Sequence, residues 1–380
     1  MTRPTVLAYY FPSWHRDPRN AQWFGDGWSE WELVKGATAR FEGHRQPRVP
    51  ALGCRDESDP VVAAEDVDLA VAHGVDGFLF DYYWYDDGPY LSGALDYGFL
   101  AAGNNEQVKF ALMWANHHLV DIFPSRSTDG AIPQQLKDGA VDRTAFEAMA
   151  RFAIEHYFSR PNYLRLDLRP WFTLYDVANF VQSLGGVEEA RDALDWFRAE
   201  TERAGHPGLH LDAVLWSAAV IPTGSDSPLT AHETFDRLGF DSGTSYVWLH
   251  HYDAGKADFP TGSVDELRAS AFAEYERYAG QLGVPFYPNV TVGWDSSPRT
   301  DQSVPFRRSI YPWTPVWDQS PAEFKAGLEL ARDFLDRHRP RHPVVTVNAW
   351  NEWTEGSYLL PDTTHGHGFL EAIRDTFGTP

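Results

Sequence analysis

The segment Trp350-Asn351-Glu352-Trp353-Thr354-Glu355-Gly356 carries two carboxylates three residues apart, with tryptophans at 350 and 353. If the chain turns there, as Gly356 allows, both carboxyls can face one cavity. A carboxyl packed against an indole has its pKa raised and can stay protonated as a general acid, while a neighbour in a polar shell stays ionised. Cleavage of a glycosidic bond needs that division of labour, with carboxyls roughly 5–5.5 Å apart for a nucleophilic retaining scheme and roughly 6.5–9.5 Å apart for inversion. The spacing in sequence leaves the spatial separation open.

Other residues could carry different chemistry. His117-His118 and His250-His251, with Asp81, Asp176 or Asp295, could form the metal centre of a hydrolase or deacetylase. Adjacent histidines seldom both reach one ion, and there is neither an HxH after the first predicted strand nor an HExxH helix. The same imidazoles suit sugar hydroxyls, so no metal and no cofactor are expected. Asp66-Val67-Asp68 falls in a predicted helix beside Glu65 and reads as solvated charge. Asn289-Val290-Thr291 matches a glycosylation sequon but falls in a predicted strand. His365-Gly366-His367 closes the last loop. Cys54, the single cysteine, reads as a passive loop thiol that excludes an internal disulfide framework and fits a reducing compartment.

The elements that must position these groups can be read from short apolar runs bounded by turn residues. Eight strands are predicted at 6–11, 75–82, 108–115, 170–176, 211–217, 240–248, 284–292 and 344–350. Most are apolar almost throughout, as parallel strands covered on both faces are. Helical patterns lie between and after them, at 60–73, 91–102, 142–158, 187–204, 230–238, 264–282, 320–338 and 367–376. Asp59-Pro60 and the Ser320/Glu323 box read as helix starts, and Gly74 and Gly283 as stops. Eight alternations in one series predict a single (β/α)8 TIM barrel over residues 1–380, with long βα loops at 12–59, 117–141, 249–263 and 293–319. A doubly wound sheet would show the same alternation, but with a Gly-rich phosphate loop after its first strand. Here Pro12-Ser13-Trp14-His15 follows.

A barrel gathers its active site at the C-terminal strand ends. Those ends carry Tyr10, Trp14 and His15; Asp81, Tyr83 and Trp84; Trp114, Asn116 and His117; Tyr175; Trp216; Tyr246 and His250; Trp294; and Asn351 and Trp353, with Trp28 in the loop after strand one. These, with Glu352 and Glu355, are the candidate substrate-binding and catalytic residues. Aromatic faces suit the CH surfaces of sugar rings, and amides, imidazoles and carboxylates suit hydroxyls. Lys and Arg are almost absent from these positions, whereas a phosphorylated substrate would want cations.

Composition agrees. The 380 residues include 15 Trp, 17 Tyr and 24 Phe, an excess that a core of Leu, Ile and Val does not require. A net charge of −22 disfavours nucleic acid and anionic membranes. No stretch approaches the ~20 apolar residues of a membrane span, and the N-terminus lacks a signal h-region. A soluble, cytoplasmic protein with a carbohydrate partner is expected.

The segments AYYFPSWH (8–15), WFGDGWSEW (23–31), FEGHRQPRVP (41–50), GVDGFLFDYYWY (74–85), FALMWAN (110–116), RPWFTLYD (169–176) and VNAWNEWTEGSYLLPD (347–362) resemble, in order, the glycoside hydrolase family 99-like proteins and their WbsX-type branch. The resemblance implies a (β/α)8 fold and action on an oligo- or polysaccharide. In the endo-α-mannosidases of that family both catalytic carboxylates lie in the segment matching WNEWTEG. It therefore implies Glu352 as the base toward the substrate's own 2-hydroxyl, through an anhydro-sugar with retention, and Glu355 as general acid, then base toward water. Those mannosidases lack the WFGDGWSEW and GHRQPRVP stretches. Retaining glycoside hydrolysis is thus the expected function. The alternatives are a glycosyltransferase of polysaccharide synthesis, a non-catalytic sugar-binding barrel and the metal-dependent hydrolase.

Overall fold

The computed structural model describes residues 3–126, 133–217 and 229–379. Its strands are β1 (Thr5–Tyr10), β2 (Gly77–Tyr85), β3 (Lys109–Trp114), β4 (Arg169–Leu174), β5 (His210–Val214), β6 (Ser242–Thr244), β7 in two pieces (Phe286–Tyr287 and Asn289–Thr291) and β8 (Val344–Asn348). Each pairs in parallel with the next, and β8 returns to β1. Pro288 breaks β7 because it has no N–H for the ladder. The first piece pairs with β6 and the second with β8, while the Pro288 carbonyl still accepts from the Thr346 N–H at 3.1 Å. The ring is thereby completed as the expected (β/α)8 barrel.

Helices α1 (Pro60–His73), α2 (Arg143–Ala153), α3 (Val187–Arg203), α4 (Ala231–Leu238), α5 (Val264–Gln281), α6 (Pro321–His338) and α7 (Gly368–Phe377) follow strands β1, β3, β4, β5, β6, β7 and β8. Asp59 caps α1, and Ser320 and Glu323 close a reciprocal box at the start of α6. Gly74 ends α1 in the left-handed region, but α5 ends at Leu282 in extended backbone and does not use Gly283 as a stop. The helix predicted at 91–102 is instead a π turn, Ala94–Gly98, running into a 3-10 turn, Phe99–Ala101. Gly93, Gly98 and Gly103 weaken an α-helix there, and the Glu57 carbonyl lies 2.0 Å from where a Cβ of residue 98 would sit. The strand predicted at 240–248 shrinks to three residues, because the Trp248 N–H turns to the Thr291 hydroxyl and Trp248–His251 tightens into a 3-10 turn. Two short helices inside the first long loop, Pro18–Phe24 and Trp31–Gly36, and one after β4, Val177–Leu184, escaped the sequence reading.

The strands are buried along nearly their whole length, yet the barrel interior is polar near its middle. Asp212 on β5, fully buried, accepts from the Ser242 hydroxyl at 2.6 Å and the Thr173 hydroxyl at 3.1 Å, and the Trp171 indole donates to Thr173 at 2.6 Å. Buried polar groups of this kind are tolerated because each finds a partner. Asp66, expected as a solvated helix charge, is also buried: it accepts from Arg55 and from the Trp350 indole, which ties α1 to the end of β8. Among the described residues no helix is long and apolar enough to cross a membrane.

Gly77 opens β2 where β3 passes closest. A Cβ there would stand 2.5 Å from the Lys109 carbonyl oxygen. Gly77→Ala should therefore destabilise the barrel by about 1–3 kcal/mol, the usual range for overpacking, seen as a lower urea midpoint with an unchanged slope.

Candidate active site

After β8 the chain makes a small hairpin in which Asn351–Glu352 pairs antiparallel with Ser357–Tyr358 across a 3-10 turn, Trp353–Glu355. Gly356 closes it at φ +66°, and a Cβ at 356 would meet the Asp295 Cβ at 2.7 Å, so the turn requires glycine on two counts. The hairpin is pinned to β1: the Trp350 N–H donates to the Tyr9 carbonyl at 2.7 Å and the Phe11 N–H to the Asn351 side chain at 2.8 Å. Trp353 stacks on Tyr358 at 3.8 Å. Glu352 and Glu355 thereby project into one cavity at the C-terminal mouth of the barrel.

The space between that cavity's walls and its open mouth, solvent at the mouth included, is about 800 Å³, of which about 70 Å³ admits the centre of a water-sized sphere. Four carboxyl groups line it, from Glu30, Asp81, Glu352 and Glu355, together with the guanidinium of Arg299 and the phenols of Tyr83, Tyr175, Tyr246 and Tyr311. Arg299 joins three of the acids. One terminal nitrogen donates to Glu355 and to the Tyr311 oxygen; the other lies 3.1 Å from Glu30 Oε2 and 3.7 Å from Glu352 Oε1. Tyr311 also donates to Glu355. The Tyr246 hydroxyl stands between Glu352 Oε2 at 2.8 Å and Asp81 Oδ2 at 2.9 Å.

Burial pushes Glu352 well above the usual carboxyl range, and the neighbouring charges of Glu355 and Asp81 push it further. Glu355 is raised by burial as well, but Arg299 and Tyr311 oppose the shift. Asp81 is raised by burial against the hydrogen bond from Tyr246. His117 and His250 are neutral at physiological pH, since burial lowers them to about 4 and about 3. Burial thus moves the acids of the site up and its imidazoles down, each towards the uncharged form.

The first long loop fixes this arrangement from outside. Asp295, after β7, is fully buried and accepts from His44 at 2.9 Å, Gln46 at 2.8 Å, Arg48 at 3.4 Å and the Ser297 N–H at 3.1 Å. Its own N–H donates to the Glu355 carbonyl. The FEGHRQPRVP stretch therefore clamps the β7 loop to the hairpin. Burial alone would raise Asp295, yet His44 and Arg48 hold it well below the usual carboxylate range. It is committed to this clamp.

Of the sequence-predicted residues, Asp81, Tyr83, His117, Tyr175, Tyr246, His250, Trp294, Glu352 and Glu355 line the cavity. Trp216 and Trp28 stand beside it: Trp216 is 5.1 Å from the Tyr175 and His250 rings, and Trp28 packs on Phe123. Tyr10, Trp14, Asn351 and Trp353 instead line a second cleft with Trp31, behind the hairpin. His15 is paired with Glu57 in the buried wall, 2.9 Å away. Trp84 and Trp114 face outward to the helices, packing on Phe152 and on Phe146 and Phe180. Asn116 holds the backbone of Asp176. His118 lines the cavity as well but pairs with Asp138, and His251 pairs with Ser245. Among the described residues no three His, Cys, Asp or Glu groups stand where they could hold a metal ion.

Sequence reading missed Glu30, Arg299 and Tyr311. Glu30 had a signal: Trp28-Ser29-Glu30-Trp31 repeats the W-x-E-W pattern of Trp350-Asn351-Glu352-Trp353, and both glutamates meet the same arginine.

A family model described as "Glycosyltransferase WbsX" matches residues 6–373. A curated relative from Xanthomonas campestris pv. campestris (strain B100), "Uncharacterized protein WxcX", is 28% identical over 97% of this chain and 49% of its own. The chain spans about half the length of the curated relatives it matches. Among solved structures, a "Glycoside hydrolase-like protein" superposes with a TM-score of 0.62 at 13% identity, over 100% of this chain and 95% of the other. The GH99 endo-alpha-mannosidase from Bacteroides thetaiotaomicron does so with 0.56 at 12% identity, over 98% and 96%. At such identities the likeness is one of fold.

The Asp295 clamp makes a stability prediction. Removing one partner from a buried, hydrogen-bonded ion pair costs roughly 3–5 kcal/mol, so Asp295→Asn should lower the unfolding free energy by about that much at pH 7. Asp295's pKa is depressed in the folded state, so its contribution is complete above the unfolded value of about 3.9 and is lost as pH falls towards the folded one. Denaturant unfolding of both proteins should show the gap constant from pH 7 to 5 and narrowing below about pH 4.

Proposed function

We propose that this chain, which belongs to the WbsX family, hydrolyses a glycosidic bond in an oligo- or polysaccharide, with Glu352 and Glu355 as its acid–base pair. The observation that carries the reading is the pair of buried glutamates that share one guanidinium at the barrel mouth.

The roles follow from the partners. Glu355 accepts from Arg299 and Tyr311 through one oxygen, Oε1, which leaves the other to carry a proton to a leaving glycosidic oxygen. Glu352 accepts from Tyr246 and lies beside the Asn348 amide at 3.4 Å; it serves as the base that takes a proton from a substrate hydroxyl. The base role of Glu352 fits a route in which the substrate's own 2-hydroxyl attacks the anomeric carbon. The hydroxyl proton goes to Glu352, the C–O bond to the leaving group breaks as Glu355 protonates it, and water later opens the anhydro-sugar with Glu355 as base. Tyr83, Tyr175 and Trp294 offer ring faces, and neutral His117 and His250 offer hydrogen bonds to hydroxyls.

The family's description supports a second reading, glycosyl transfer. A nucleotide-sugar donor brings a diphosphate, which wants free cations. Among the described lining residues Arg299 is the one Lys or Arg, and its nitrogens already face Glu30, Glu352, Glu355 and Tyr311. Hydrolysis is the reading this charge pattern supports better.

With bacterial polysaccharides and nitrophenyl glycosides as substrates, Glu355→Gln should reduce turnover of unactivated glycans by about 10²–10⁴-fold, the usual share of general acid catalysis, and much less for nitrophenyl leaving groups. Glu352→Gln should lose both alike. Turnover unchanged in Glu355→Gln would sink the acid assignment, and sugar transfer from a nucleotide donor without glycan cleavage would replace hydrolysis by the second reading.

A further inference from the structure

The Tyr246 hydroxyl makes two contacts of hydrogen-bond length, to Asp81 Oδ2 and Glu352 Oε2. A phenol has a single proton, so it can donate to only one of them. The other contact is a hydrogen bond only if that carboxyl itself carries a proton to give. One proton is therefore held between Asp81 and Glu352. That leaves two placements: the proton on Asp81, with Glu352 ionised and accepting from Tyr246, or the proton on Glu352, with Asp81 accepting from Tyr246.

The surroundings choose between them. Asp81 faces Tyr246 and, at longer range, the phenols of Tyr9, Tyr83 and Tyr175 and the carboxyl of Glu355; no cation faces it, and its Oδ1 is buried without a partner. Glu352 faces Arg299 at 3.7 Å, the Asn348 amide at 3.4 Å, Tyr246, and the acids Glu355 and Asp81. Negative charge settles beside the guanidinium and the donors, and the proton on the acid that lacks them. We propose that Asp81 is a positioning residue which holds a proton, donates it to the Tyr246 oxygen and so turns the Tyr246 O–H onto Glu352, keeping Glu352 the ionised base. Two protons lie in the chain Asp81–Tyr246–Glu352, one on each of the first two groups. Shifting both by one hydrogen bond would protonate Glu352 and ionise Asp81, the state in which Glu352 cannot act as a base.

The consequence for catalysis rests on the glutamate-pair reading, but the proton's place can be read without any substrate. Infrared difference spectra of the full chain at pH 7, wild type minus Asp81→Asn, should show a lost protonated-carboxyl C=O stretch. In protein carrying ¹³C in its aspartate side-chain carboxyls alone, that lost band should move to lower frequency. A band indifferent to the aspartate label would put the proton on a glutamate and overturn the proposal, as would the absence of any lost protonated band. If Asp81→Asn does not fold, Tyr246→Phe serves in its place: the aspartate-labelled band should shift when its acceptor is removed, and an unmoved band would equally overturn the proposal.

Discussion

Arg299 holds together groups that would otherwise repel. Glu30 from the first loop and Glu352 and Glu355 from the hairpin approach its guanidinium, and all four side chains are nearly inaccessible to water. One cation cannot neutralise three acids, and burial raises both Glu352 and Glu355 above the usual carboxyl range.

The imbalance is stable only if the partners cannot move apart, and the long loops serve that purpose. Two stretches of the first loop converge on the hairpin from opposite sides. Glu30 accepts from the Thr354 hydroxyl within the turn, while His44, Gln46 and Arg48 seize Asp295, whose N–H holds the Glu355 carbonyl. Trp31 packs near Trp353, 6.1 Å between rings, and against Trp14 at 4.4 Å. The aromatic excess is therefore divided in use: part of it lines the cavity, and part stiffens the wall behind Glu352. Two buried carboxyls beside one guanidinium need such a wall, since charge interactions strengthen as water is excluded.

The barrel and the glutamate pair were legible in the sequence because both depend on local patterns: apolar runs eight times over, and a carboxylate pair in a tryptophan-flanked turn ending at glycine. The strand-end rule reached Asp81, Tyr175 and Tyr246 but not the direction each side chain takes. Trp84 and Trp114 face the helices although they end strands, since alternate residues of a strand point to opposite faces. Arg299 and Tyr311 stand 56 and 44 positions from Glu355 in the sequence, in a loop with no periodicity, and nothing local marks them as its partners. Asp66 was misread for the same reason: its partners, Arg55 and Trp350, lie on other elements. Pairings across the fold decide which charges are buried, and a one-dimensional pattern does not contain them.

The same charge arrangement bears on what can enter. Both terminal nitrogens of Arg299 already have acceptors, whereas Asp81 Oδ1 and His250 Nδ1 are buried without partners. Leaving such atoms unpaired costs on the order of 1–3 kcal/mol each, and water or a ligand hydroxyl removes that penalty. A sugar presents several hydroxyls, each both donor and acceptor, and so can satisfy a neutral acid, an imidazole and a carboxylate at once. A sugar carboxylate or phosphate would bring a further negative charge to a cavity with no uncommitted cation among its described walls, where the low dielectric magnifies the repulsion.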